Sequence, residues 1–192
     1  MRIVAGAARG RRLTPPAAGT RPTSDRVREA LFSAIESRLG ALGGLRVLDL
    51  YAGSGAVGLE ALSRGAAHVL LVERDRAAAE VVRANVAAVA LPGAELVRGD
   101  VRSVVSRTPP AAARAPYDVV FADPPYEVAD AEVVEVLTAL GEGGWLDDGS
   151  LVVVERARRG EGFAWPAGFE PLRDRSYGGT VVRSALWYGR GA

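Results

Sequence analysis

The chain has 192 residues, of which 48% are hydrophobic, and its 23 acids nearly balance 24 bases for a formal net charge of +1. That is the size of one domain with a proper core, and the overall charge selects neither polyanions nor polycations as partners. With no cysteine and with arginine as its only basic residue type, the chain cannot build a disulfide framework, a thiolate nucleophile, a cysteine-held metal site, a Schiff-base lysine or a Walker A loop.

At the N-terminus, Met1-Arg2-Ile3-Val4-Ala5-Gly6 lacks the continuous apolar stretch of a signal peptide, and no later run reaches bilayer length, so a cytoplasmic protein is expected. Before Glu29 the chain carries Arg2, Arg9, Arg11, Arg12, Arg21, Arg26 and Arg28 against one acid, Asp25. Interleaved with Gly and Pro, these arginines read as a basic hairpin or arm over residues 1–22 that grips phosphates, giving affinity and salt dependence rather than base choice. Residues 23–192 read as the main domain. Thr23 or Ser24 N-caps a helix over residues 24–38, on which Leu31, Ile35 and Leu39 form an apolar stripe.

From there apolar runs and helical patterns alternate. Strands read at 46–50, 68–73, 94–98, 117–122 and 151–155, and helices at 56–64, 76–89 and 129–140, with a shorter one after Asp100. Such alternation predicts an α/β fold, a mostly parallel central sheet with helices on both faces. The last two runs, 169–176 and 180–188, flank the short Tyr177-Gly178-Gly179 connection and should pair antiparallel at the sheet edge. The one histidine, His68, opens a strand, which speaks against histidine-centred hydrolysis.

Asp49-Leu50-Tyr51-Ala52-Gly53-Ser54-Gly55-Ala56-Val57-Gly58 follows the first sheet strand, opens a helix and matches G-x-G-x-x-G. Its bare backbone and helix N-terminus suit a nucleotide-type ligand, although a tight strand-to-helix turn explains it too. Asp49 separates the nucleotide readings: a carboxylate there repels a pyrophosphate but can pair with the ammonium of a methionine moiety. At the next strand end Glu73 is placed to accept two ribose hydroxyls. After the third strand Asp100 could accept an adenine amine while the Val101 N–H donates to the ring. Each acid is equally a possible helix cap, but as a series they line the carboxyl edge of the sheet, where ligands bind in such folds.

At the end of the fourth strand stands Asp123-Pro124-Pro125-Tyr126. Two prolines stiffen the backbone and leave carbonyls without local partners, so an exocyclic amine could donate one hydrogen to Asp123 and another to a prolyl carbonyl while Tyr126 stacks on the base. A strand-to-loop exit with a surface tyrosine remains the alternative.

Together these residues resemble the Rossmann-like class I S-adenosylmethionine-dependent methyltransferases, and more narrowly the bacterial 16S ribosomal RNA guanine-N2 methyltransferases. The resemblance extends to Arg2-Ile3-Val4-Ala5-Gly6, Arg9-Gly10-Arg11-Arg12-Leu13, the block from Arg21 to Phe32, and the block from Gly58 to Ala66. It implies that Asp49, Tyr51, Ala52, Gly53, Ser54, Gly55, Glu73, Arg74, Asp100 and Val101 line an S-adenosylmethionine site, with Thr23 in a lid near the methionine end. It further implies that Asp123, Pro124, Pro125 and Tyr126 hold a guanine of 16S rRNA, in the small subunit or an assembly intermediate. A small N-terminal β-hairpin extension, a monomeric state, no metal, and S-adenosylhomocysteine as product belong to the same expectation.

Adenine-N6 methylation of DNA or RNA is the rival reading, since the same socket accepts either amine. A nicotinamide-dependent oxidoreductase leaves Asp49 and the D-P-P-Y socket unexplained, and a non-catalytic RNA-binding module explains the arginines alone. Arg156, Arg158 and Arg159, after the fifth strand, read as an ordinary charged loop that could also flank RNA.

Overall fold

Runs such as Val47-Leu48 and Val69-Leu70-Leu71-Val72 are apolar at every position because both faces of their strands are covered; none of these residues is more than 3% exposed. A computed structural model of the chain describes residues 1–15, 25–110, 113–158 and 163–189. Its elements are α1 (Asp25–Leu39), β1 (Arg46–Leu50), α2 (Ala56–Ser63), β2 (His68–Glu73), α3 (Arg76–Val89), β3 (Ala94–Arg98), α4 (Val101–Val105), β4 (Tyr117–Ala122), α5 (Asp130–Glu142), β5 (Leu146–Ala157), β6 (Phe169–Pro171), β7 (Arg175–Tyr177) and β8 (Thr180–Trp187).

The sheet runs β3-β2-β1-β4-β5-β8-β6, with β7 also on β8. It is parallel from β3 through β5 and antiparallel at β8, which confirms the α/β class and the edge hairpin. One core layer joins Leu31, Phe32 and Ile35 of α1 to Leu59 of α2 and Val82 of α3. The layer on the opposite face joins Val101 and Val105 of α4 to Val133, Val136, Leu137 and Leu140 of α5.

Two strands depart from the predicted bounds. β5 begins at Leu146, earlier than the expected residue 151, because Leu146 already pairs with Tyr117 before a register shift to Val119 opposite Leu151. The expected strand 169–176 is split. Pro171 faces Ala185 and Arg175 faces Val182, so three residues, Leu172 to Asp174, oppose only Arg183 and Ser184, which is a bulge. Helix ends differ from the predicted ones by a residue or two.

The N-terminal hairpin is present. Ile3 N–H donates to the Arg11 carbonyl at 3.0 Å and Gly10 N–H to the Ile3 carbonyl at 2.9 Å, with Arg2 bridged to Arg12. One side of the hairpin, Ile3, Ala8 and Leu13, is buried in the core layer that holds α1 and α2. Among the described residues no helix is long and apolar enough to cross a membrane.

Candidate active site

From β1 the chain steps to β2 and from β4 it steps to β5, in opposite directions, and in such sheets ligands bind at the carboxyl ends of the strands where that direction reverses. The candidate residues stand along that edge in the order Asp100, Glu73, Asp49, Asp123, following the strands β3, β2, β1 and β4 that carry them. Backbone bonds tie the strand ends together: Ala52 N–H to the Val72 carbonyl at 3.0 Å, Gly99 N–H to the Glu73 carbonyl at 3.0 Å, and Asp123 N–H to the Leu50 carbonyl at 3.4 Å.

The loop after β1 turns sharply. Tyr51 has φ 59°, a left-handed value tolerated by a non-glycine residue only when its surroundings hold it. Gly55, at φ 75°, begins α2, and a Cβ on Gly58 would fall 2.6 Å from Val69 Cγ1 and 3.1 Å from Asp49 Oδ2. Gly58 is therefore a packing glycine, and its bare Cα lets Asp49 Oδ2 accept the Gly58 N–H at 2.9 Å. Asp49 is 2% exposed. Burial, partly offset by the Gly58 bond and reinforced by the charge of Glu73, pushes its pKa from 3.8 up to about 7. A buried acid so placed gains from a nearby cation.

Glu73 is buried too, with Oε2 accepting Gly53 N–H and Oε1 accepting Asp75 N–H, both at 2.8 Å. Each oxygen keeps a second lone pair for a hydroxyl donor. Asp100 Oδ1 caps α4 through Ser103 N–H at 3.0 Å, and a cap of that kind leaves a carboxylate further lone pairs. Arg74 is exposed beside Glu73, and Ser54 is buried inside the loop. This donor set, a buried acid for an ammonium, an acid with spare lone pairs for a diol and an acid at a helix start for an amine, fits S-adenosylmethionine better than a pyrophosphate carrier.

At the β4 end Asp123 is partly buried, Pro124 is buried and Tyr126 is 62% exposed. One expectation changes. The Pro125 carbonyl does have a local partner, because a tight turn brings Val128 N–H onto it at 3.0 Å, leaving it one lone pair. Arg156, expected in a loop, lies in β5 and staples that turn: its Nη2 donates to the Val128 carbonyl at 2.9 Å and to Asp130 Oδ1 at 2.8 Å.

The arginines divide into groups that their shared spacing in sequence did not reveal. Arg2, Arg9 and Arg12 are exposed on the hairpin. Arg11, also exposed, turns Nη1 onto the carbonyls of Ala88 and Val89, where a cation complements the end of α3. Arg28 departs from its expected role as a phosphate contact. It is fully buried, pairs with Asp25 at 2.9 Å and lies 3.6 Å from Glu60, so it holds α1 and α2 together instead of facing solvent. Arg21, Thr23 and the Arg26 side chain lie outside the described residues.

The chain matches the family model described as "Conserved hypothetical protein 95" over residues 1–185. It is 39% identical over 156 residues to Ribosomal RNA small subunit methyltransferase D of Escherichia coli (strain K12), covering 81% of this chain and 74% of that one. The chain belongs to this methyltransferase family. Family likeness spans the hairpin as well as the sheet: YlbH of Bacillus subtilis (strain 168) is 34% identical over 193 residues and the whole of both chains. The solved structure of Escherichia coli yhhF superposes with a TM-score of 0.83 at 34% identity and 98% coverage of each chain.

Sequence reasoning missed two buried polar residues, Glu60 in α2, which takes hairpin N–H groups, and Asn85 in α3, which bonds to Thr14 and Ser54. Their signal was present, since each interrupts an apolar helix face, and a polar group at a core position is the informative kind of exception.

Proposed function

We propose that the chain transfers a methyl group to the exocyclic N2 of a guanine in 16S rRNA, within the small ribosomal subunit or an assembly intermediate. The carrying observation is the placement of Asp123 beside the glycine loop, with its N–H on the Leu50 carbonyl, so that amine socket and cofactor loop share one crevice. The name borne by the Escherichia coli relative supports the ribosomal substrate.

Asp49, Glu73, Asp100 and Val101 would hold S-adenosylmethionine, with Asp49 toward the methionyl ammonium, Glu73 on the ribose and Asp100 on the adenine amine. When bound, that group supplies a methyl already activated by a sulfonium. What remains for the chain is positioning. Asp123 accepts one hydrogen of the guanine amine, directs the nitrogen lone pair forward and balances the positive charge that develops there. With the Pro125 carbonyl engaged in its turn, Pro124 offers the carbonyl for the second hydrogen. The exposed Tyr126 ring stacks on the base, which must leave its helix to reach the socket at a cost of a few kcal/mol. Well-oriented reactants gain up to about 7–11 kcal/mol from proximity alone.

Small subunits from a strain lacking the modification, incubated with the protein and S-adenosylmethionine and digested to nucleosides, should yield N2-methylguanosine by mass spectrometry. N6-methyladenosine would instead select the adenine reading. Asp123→Ala should abolish transfer while leaving S-adenosylhomocysteine affinity within about threefold, and a variant that still turns over would remove Asp123 from its role.

A further inference from the structure

Asn85 is 1% exposed, on the α3 face that Ala79, Val82 and Val89 bury in the core. A primary amide is costly in such a place unless its polar atoms are paired. Here they are paired across two separate parts of the chain. Oδ1 accepts the Thr14 N–H at 2.8 Å, while Nδ2 donates to the Thr14 carbonyl at 3.0 Å and to the Ser54 carbonyl at 2.8 Å. Both amide hydrogens are used.

Thr14 is the residue by which the chain leaves the basic hairpin, and Ser54 is the middle of the glycine loop. One buried side chain therefore grips the hairpin's exit and the cofactor loop together. A second connection runs in parallel through α2. Glu60 receives Val4 N–H at 2.8 Å and Ala5 N–H at 2.9 Å, Ser63 receives Ala8 N–H at 2.9 Å, and the same helix starts at the loop's Gly55.

We propose that Asn85 is a positioning residue that couples the hairpin to the cofactor loop, so that RNA on the hairpin and S-adenosylmethionine in the crevice each tighten the binding of the other. RNA that immobilises the hairpin holds Thr14, the amide passes that restraint to the Ser54 peptide, and the second ligand meets a loop already ordered. The coupling is reciprocal by linkage, with one factor governing both directions. The proposal rests on the reading of the hairpin as an RNA grip and of the loop as a cofactor site.

The test uses equilibrium dialysis of labelled S-adenosylhomocysteine with and without saturating small subunits from a strain lacking the modification, and filter binding of those subunits with and without the nucleoside. In the unaltered protein each ligand should tighten the other by the same factor, about five- to fiftyfold. Asn85→Ala should bring that factor close to one. Thr14→Pro removes the N–H that Asn85 accepts while leaving the Ser54 contact, so it should lower the factor with S-adenosylhomocysteine affinity alone unchanged, and it serves if the Ala variant fails to fold. An unaltered protein that binds both ligands independently, or variants that keep the full factor, would overturn the coupling and leave methyl transfer standing. Failure of the unaltered protein to bind either ligand would overturn the underlying reading along with it.

Discussion

Asp49 has a charge state that burial holds back and that a nearby cation would restore. Its pKa of about 7 in the folded chain, against 3.8 without burial, means that between these values the unfolded chain ionises this group and the folded one keeps it protonated. The folded state then binds more protons, so this group's contribution to stability falls as pH rises through that window and is constant above it. A methionyl ammonium nearby favours the ionised form. Ligand binding near pH 6 should therefore release close to one proton, and affinity should climb about tenfold per unit as pH approaches 7 before levelling off. Calorimetry in two buffers of different protonation enthalpy measures the release, and Asp49→Asn should abolish it. Binding without proton release between pH 6 and 7 would reduce Asp49 to a brace for Gly58.

At the scale of elements, the hairpin and α2 depend on Glu60. Its carboxylate is fully buried, takes two hairpin N–H groups, and meets Arg64 Nε at 3.0 Å as well as Arg28 at 3.6 Å. Removing one partner of such a cluster leaves buried charge uncompensated, which costs about 3–5 kcal/mol. For a chain of this length that corresponds to a melting temperature lower by roughly 6–20 °C in Glu60→Ala. Because the bonds removed belong to the hairpin, amide exchange at Val4 and Ala5 should accelerate more than exchange at Val69 or Val72 in the buried β2. Equal protection at Val4 and Ala5 in both proteins would show that Glu60 does not dock the hairpin.

Such contacts mark what could be read in advance and what could not. β1 to β4 kept their predicted bounds because short runs rich in Val and Leu, bounded by glycine, proline or charged turn residues, leave little choice of state, and the strand-end acids followed from the topology. The hairpin was predicted too, but not its docking, since Glu60 is separated from Val4 by 56 positions and only the folded chain brings them together. The bulge at Leu172 to Asp174 was hidden for a similar reason: it is a property of the partner strand's register, which no local pattern records.

For the molecule as a whole, a net charge of +1 leaves little general attraction to RNA, so affinity must come from where the cations sit. Within the described residues the hairpin presents Arg2, Arg9 and Arg12 outward, and Arg2 and Arg9 share the lining of a hollow of about 350 Å³ with Asp25 and Glu29. Each phosphate that the protein ceases to neutralise takes about 0.7–0.9 off the slope of log affinity against log salt. Replacing Arg2, Arg9 and Arg12 together by Ala should therefore flatten that slope for small-subunit binding by about 2–3, while S-adenosylhomocysteine affinity without RNA stays as it was. Arg28→Ala should behave oppositely, since its buried guanidinium pairs with Asp25 and sits beside Glu60: stability falls and the salt slope does not. Filter binding across a salt series separates the two outcomes. If the triple variant kept its slope, phosphate recognition would have to be sought off the hairpin, on a remainder of the chain in which acids outnumber arginines.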